Sequence, residues 1–250
     1  MDTIQLIILA GGKGTRMLSE HPKVLVELGG KPLITHLLDN LRPLSLSIPP
    51  VIVVGHEAEL VKETIGPSYR YALQQEQKGT GHAVLMAREA TDARAKHVMV
   101  LYGDHPLVDA DTIRAITETH QKNNAVVTMG TASVPDFTLW RSAFKRYGRI
   151  IRDEHGTISR IVEYKDATEA ERAITEVNPS YLCFQADWLW SRLQKIGVEN
   201  AQNEYYLTDI IGIATQEGVS LHTTAIDPEI ALGANTREEL ETLENILNRR

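Results

Sequence analysis

Short runs of apolar, mostly β-branched residues alternate with stretches of helical spacing along the first half of the chain. Ile4 to Leu9, Val51 to Val54 and His97 to Tyr102 are largely continuous apolar runs bounded by Gly or Asp. That is the pattern of strands buried on both faces of a parallel sheet. Between them, Pro32 to Leu41, Ala58 to Ile65 and Gly81 to Arg88 carry apolar residues at helical spacing. The alternation predicts a doubly wound α/β sheet, with ligands held at the carboxyl ends of its strands. The second half changes character. Tyr147 to Val162 holds two β-rich runs around Asp153-Glu154-His155-Gly156, a hairpin in which glycine takes a positive φ angle. Glu176 to Phe184 reads as a further strand, Trp188 to Ile196 and Tyr205 to Gln216 as helices, and Thr236 to Asn248 as a final amphipathic helix.

Composition narrows the class without naming a function. The 250 residues are 42% hydrophobic and 24% charged, an ordinary globular balance with enough chain for one large α/β domain. A formal net charge of -7 argues against a nucleic-acid backbone as partner, so an anionic ligand must be met by local cations. The single cysteine, Cys183, rules out an internal disulfide and predicts a buried thiol in a reducing, cytoplasmic compartment. The amino terminus reads neither as a signal peptide nor as a membrane span, and no membrane partner is expected.

The chemistry begins where the first strand ends. Leu9-Ala10-Gly11-Gly12-Lys13-Gly14-Thr15-Arg16-Met17 is a loop whose glycines let backbone N–H groups converge on an anion, with Lys13 and Arg16 adding charge. A dinucleotide fingerprint needs a glycine where Met17 stands, and a P-loop needs Lys-Ser/Thr after a longer spacer, so neither fits. Pro22-Lys23-Val24-Leu25 sets another lysine before an apolar run. In Gln74-Gln75-Glu76-Gln77-Lys78-Gly79-Thr80-Gly81 an amide lies near a glycine turn, and an amide offers the donor and acceptor that a pyrimidine edge requires. In Leu101-Tyr102-Gly103-Asp104-His105 a carboxylate closes a strongly apolar strand, a position suited to a metal ion. Asp109-Ala110-Asp111 mimics a metal-binding Asp-x-Asp, but capping of the next helix is the expected role.

These segments, together with Tyr147-Gly148-Arg149-Ile150, Ile161-Val162-Glu163-Tyr164, Glu176-Val177-Asn178, Tyr205-Tyr206-Leu207-Thr208-Asp209 and Leu232-Gly233-Ala234-Asn235, resemble the uridyltransferase domain of bacterial N-acetylglucosamine-1-phosphate uridyltransferases, within the sugar-1-phosphate nucleotidyltransferase family. The resemblance spans nearly the whole chain. It implies one Rossmann-like, doubly wound mixed sheet with a small antiparallel excursion over the sugar site. A nucleotide-binding half at about 1–130 and a sugar-binding half at about 131–250 would make up a single domain. It further implies UTP and a sugar 1-phosphate as substrates and Mg2+ as cofactor, held by Asp104 and Asn235. Arg16, Lys23 and Asp104 would carry catalysis. The nucleotide would contact Leu9, Ala10, Gly11, Gly12, Lys13, Gly14, Thr15, Lys23, Gln74, Gly79, Thr80, Gly81, Tyr102 and Gly103. Gly148, Glu163, Asn178 and Tyr206 would hold the sugar. The resembled bifunctional enzymes continue into a β-helix that acetylates the sugar, which is not expected in a chain ending at Arg250.

Two departures stand out. Pro179-Ser180 replaces the Thr-Gly that follows the asparagine in the family, and proline removes a donor and fixes φ, which bears on sugar identity. His105 replaces an apolar residue and reads as a neighbour of the metal site rather than a base. Two rival readings are a dinucleotide-dependent oxidoreductase, which lacks the glycine fingerprint, and a non-catalytic nucleotide-sugar-binding protein, against which the set Lys23, Asp104 and Asn235 weighs.

Overall fold

The computed structural model describes residues 3–14, Met17 and residues 21–249. Strand β1 (Ile4–Ala10) is central and wholly buried. Its side chains alternate as a strand requires, with Ile4, Leu6, Ile8 and Ala10 in one apolar layer and Ile7 and Leu9 in the other. Two short strands, β2 (Glu27–Leu28) and β3 (Lys31–Pro32), form a separate antiparallel pair that leads into helix α1 (Leu33–Leu41). Helix α1 buries Leu33, Ile34, Leu37, Leu38 and Leu41, the stripe expected of its sequence. Then come β4 (Val51–Val54), α2 (Ala58–Ile65), β5 (Arg70–Leu73), α3 (Thr80–Met86), β6 (His97–Tyr102) and α4 (Ala110–Lys122). The Asp109 side chain accepts a hydrogen bond from the Thr112 backbone and caps α4, as its sequence position suggests.

The rest of the chain contributes β7 (Val127–Ser133), β8 (Gly148–Arg152), β9 (Ile158–Val162), α5 (Glu169–Arg172), β10 (Glu176–Asn178), β11 (Leu182–Gln185), α6 (Ala186–Arg192), α7 (Asp209–Gln216), β12 (Leu221–Ala225) and α8 (Arg237–Leu247). The sheet runs β5-β4-β1-β6-β11-β7-β10-β8-β9, with β12 also paired to β7. Strands β5, β4, β1 and β6 are mutually parallel, whereas β11 is antiparallel to both β6 and β7. One apolar layer takes α1, α2 and α4, and the other takes α3, α6 and α7. This is the doubly wound mixed sheet the sequence predicts. The expected hairpin is β8–β9, with Gly156 at φ +78° in its turn.

Two expectations change. The single strand from Glu176 to Phe184 is broken into β10 and β11, because Pro179 cannot donate to β7 and Ser180 turns the chain into the left-handed region at φ +66°. The helix expected from Tyr205 begins only at Asp209. Tyr205 is held instead by backbone pairing: its N–H donates to Lys78 O and its carbonyl accepts from Gly81 N, both at 2.8 Å. No helix among the described residues is long and apolar enough to cross a membrane.

Candidate active site

The parallel strands β1, β4 and β6 all end on one side of the sheet, where the loops after them converge. Tight glycines make that convergence possible. A Cβ at Gly55 would lie 2.9 Å from Gly11 O, and one at Gly103 would lie 3.2 Å from Leu9 O. Gly79, at φ +106°, leaves room for the backbone at Tyr205, since a Cβ there would approach Tyr205 O to 2.6 Å.

Two adjoining cavities open on this edge. The first, about 230 Å³, is lined by Leu9, Gly11, Gly12, Gln74, Gly79 and Thr80 among others. The second, about 300 Å³, is lined by Gly148, Glu163, Asn178, Tyr206, Thr208 and Asn235 among others. Lys23, Thr80, Tyr102, Asp104 and Glu204 line both. Of the residues read as nucleotide-binding, Leu9, Gly11, Gly12, Gln74 and Gly79 line the first chamber and not the second, and Gly148, Glu163, Asn178 and Tyr206, read as sugar-binding, line the second and not the first.

The shared wall is electrostatic. The Lys23 ammonium forms an ion pair with the Asp104 carboxylate and donates to Asn235 Oδ1 at 2.7 Å. Burial pushes the Asp104 carboxyl up, but Lys23 and then His105 outweigh it and hold it below the usual carboxylate value. Asn235 reaches Lys23 because its own loop is pinned. Ala234 N donates to Asp104 O at 3.0 Å, Gly233 N donates to the Tyr147 hydroxyl at 2.9 Å, and Asn235 N donates to Glu239 Oε2 at 2.6 Å. Gly233 cannot be larger, as a Cβ would sit 2.5 Å from His105 Nε2. Thr236, not Asn235, caps α8, which leaves the Asn235 side chain to the site.

His105 is buried and hydrogen-bonded through Nδ1 to the Tyr181 hydroxyl at 2.7 Å. Burial lowers its pKa to about 4, so it is neutral at pH 7. It packs behind Asp104, in agreement with its reading as a neighbour.

A cation already held between a carboxylate and an amide oxygen tests the site for a metal. The Lys23 ammonium stands in for such a charge, and the two oxygens are hard donors suited to a divalent ion. Among the described residues no group of three or more His, Cys, Asp or Glu side chains could hold a metal ion. A metal at Asp104 and Asn235 therefore needs ligand oxygens and water to complete its shell.

In the first chamber Gln74 is 5% exposed. Its Nε2 donates to Gly79 O at 3.0 Å and lies 3.0 Å from His82 Nδ1, which leaves its amide carbonyl as the group to meet a ligand. Gln77 Nε2 donates to Gly11 O at 2.7 Å and joins the same wall. In the second chamber Thr208 Oγ1 donates to Glu163 Oε1 at 2.9 Å. Burial raises the Glu163 pKa above its ordinary value. A Cβ at Gly148 would fall 3.3 Å from that same Oε1, so glycine keeps the chamber open.

Not every predicted residue faces a chamber. Ala10 is buried in the core, Lys13 is exposed, Gly14 and Gly103 shape loops rather than walls, and Gly81 lies in the first turn of α3, packed against Tyr205. Thr15 and Arg16 lie outside the described residues. Gln77, Arg146, Gln202 and Glu204 line the chambers without being singled out by the sequence, and Thr208 lines the second within Tyr205-Tyr206-Leu207-Thr208-Asp209-Ile210, a segment the resemblance sets beside the sugar.

Comparison with known proteins gives the chain its family and its fold. The sequence pattern of the MobA-like NTP transferase domain matches residues 6–191. The bifunctional protein GlmU of Heliobacterium modesticaldum is 44% identical over 246 residues, covering 98% of this chain and 52% of that protein. GlmU of Brevibacillus brevis is 41% identical over 251 residues, covering 100% of this chain and 53% of that protein. The chain therefore spans about half the length of these relatives. A crystal structure of UDP-glucose pyrophosphorylase complexed with UDP-glucose matches with a TM-score of 0.74 at 17% identity, over 100% of both chains, and shares the fold.

Proposed function

The chain belongs to the family of MobA-like NTP transferase domains, and from its paired chambers we propose that it transfers UMP from UTP to a sugar 1-phosphate, with N-acetylglucosamine 1-phosphate as the expected acceptor. The observation that carries this reading is the shared wall. Two cavities, one lined by Gln74 and the glycine loop and the other by Glu163 and Asn178, share Lys23, Asp104 and Tyr102, which supports a reading in which nucleotide and sugar phosphate meet there.

An oxygen of the sugar phosphate attacks the α-phosphorus of UTP. The bond from that phosphorus to the pyrophosphate oxygen breaks, giving UDP-sugar and pyrophosphate. The nucleophile is already ionised, so no general base is required, and the neutral, buried His105 is not asked to be one. The barrier lies in bringing two polyanions together, and positioning with charge neutralisation lowers it. Lys23 neutralises the reacting phosphates from its place between the chambers. Arg16, Lys13 and the glycine-loop amides take the remaining phosphates. The Gln74 carbonyl accepts from the N–H of a uracil ring, and Glu163 and Asn178 hold sugar hydroxyl and acetamido groups. Magnesium bound at Asp104 and Asn235 would supply Lewis-acid stabilisation of phosphate charge.

Pyrophosphate release from UTP, measured across a panel of sugar 1-phosphates, tests the proposal. Release with N-acetylglucosamine 1-phosphate is expected. Nucleotide-sugar binding without release from any acceptor would instead indicate a non-catalytic binding protein.

A further inference from the structure

The break between β10 and β11 is a built feature of the acceptor chamber. Strand β7 pairs Ala132 with Val177 and Met129 with Leu182, so its Gly130 and Thr131 face the four residues Asn178 to Tyr181. Two surplus residues are thereby pushed out of the sheet, and Pro179 and Ser180 line the chamber. Ser180 holds φ at +66°, a conformation that glycine adopts freely and serine does not. Hydrogen bonds hold it there. Ser180 N donates to Asn178 Oδ1 at 2.9 Å, and Asn178 Nδ2 donates to Ser180 Oγ at 3.0 Å.

Strained backbone that persists at a ligand-facing position points to function. A primary amide has two donor hydrogens and two acceptor lone pairs. Ser180 engages one of each on Asn178, which holds the amide in place, and its hydroxymethyl group occupies chamber wall where glycine would leave room for a bulkier acylamino substituent. We propose that Ser180 is the specificity-determining residue of the acceptor chamber, biasing it toward hydroxyl-bearing over acylamino-bearing sugars and so relaxing the preference for an N-acetylated acceptor. This rests on the second chamber being a sugar site. Glycine at position 180 would keep the backbone turn while returning one Asn178 hydrogen and the side-chain volume to the ligand.

The test is calorimetric titration of the full chain with UDP-N-acetylglucosamine and UDP-glucose, alongside thermal melts, for wild type, Ser180→Gly and Ser180→Ala. Both variants should raise the ratio of affinities in favour of the N-acetylated ligand, by about tenfold. The Ser180→Gly protein should melt no lower than wild type, because glycine suits the positive φ, whereas Ser180→Ala should not gain stability. UTP affinity should stay unchanged in both. An unchanged affinity ratio in a wild-type-like background would overturn the inference while leaving the sugar site intact. A Ser180→Gly protein that melts below wild type would also overturn it, since the turn would then serve the fold alone. Wild type that binds neither nucleotide sugar would remove the sugar site itself, and the inference with it.

Discussion

The Lys23 ammonium donates a 2.7 Å hydrogen bond to Asn235 Oδ1, joining residues 212 positions apart in the chain. The same ammonium pairs with Asp104. One cation therefore touches both oxygens that the proposed chemistry assigns to a metal, and two cations cannot share that point. Metal binding would have to move Lys23 off Asp104, which would turn it toward the phosphates it is meant to neutralise.

It follows that Lys23→Met should separate metal binding from turnover. Loss of an electrostatic element at the reacting phosphates commonly costs on the order of 10²–10³ in rate. Removing an ammonium held against both ligand oxygens should tighten binding of a divalent ion by about tenfold or more. Titration with Mn2+ followed by electron paramagnetic resonance reads the affinity without turnover. Equal or weaker Mn2+ binding by the variant would contradict the exchange.

Asp104→Ala should leave the fold intact and lower turnover by at least about 10²-fold, because the carboxylate closes β6 at the sheet edge rather than filling the core. Mn2+ binding should be lost with it. Wild-type activity that persists under full chelation of divalent ions speaks against the metal assignment.

The raised pKa of Glu163 carries a sign that melts can check. Its folded-state pKa lies above the unfolded value, so the folded protein binds more protons, and stability falls as pH rises from the unfolded pKa through the folded one. Glu163→Gln removes that loss. Its melting temperature should gain on wild type between pH 4.5 and pH 7.5, by about 2–4 °C for each kcal/mol recovered. Its use of every sugar phosphate should nevertheless fall. A difference that shrinks as pH rises would mean the carboxylate is stabilised, not strained, in its chamber.

Nucleotide choice should follow Gln74. With its NH2 group engaged by Gly79 and His82, its carbonyl suits a ring N–H, and UTP should be preferred over ATP and GTP in kcat/KM. Gln74→Ala should narrow that preference by about 10²-fold or more, since a site built on polar partners discriminates strongly. A preference of wild type for ATP would refute the nucleotide assignment.

The half of the molecule that was legible in the sequence is the half built from local rules. Val51 to Val54 and His97 to Tyr102 are apolar runs long enough only for buried strands, and both appear with those bounds. Asp104 was visible because a carboxylate has little other reason to close such a strand. The elements that sequence reading misjudged depend on distant partners. Strand β12, Leu-His-Thr-Thr-Ala, is half-exposed without clean alternation, and it exists because β7 offers an edge to it. Tyr205 opens a stretch of helical spacing, yet its own backbone pairs with Lys78 and Gly81, more than a hundred residues earlier, and the helix starts only at Asp209. The coupling of Lys23 to Asn235 was invisible for the same reason. Each residue could be matched to a family position, but the hydrogen bond between them is a product of the fold.

The central claim is that the paired chambers join a uridylyl group to a sugar phosphate, and 31P NMR of the full chain with UTP, N-acetylglucosamine 1-phosphate and Mg2+ tests it most directly. The account predicts that the resonances of both substrates decline together while those of a UDP-sugar and of pyrophosphate rise in equal amounts, with no inorganic phosphate. A spectrum that stays unchanged, or that shows UTP losing only its terminal phosphate, would contradict it.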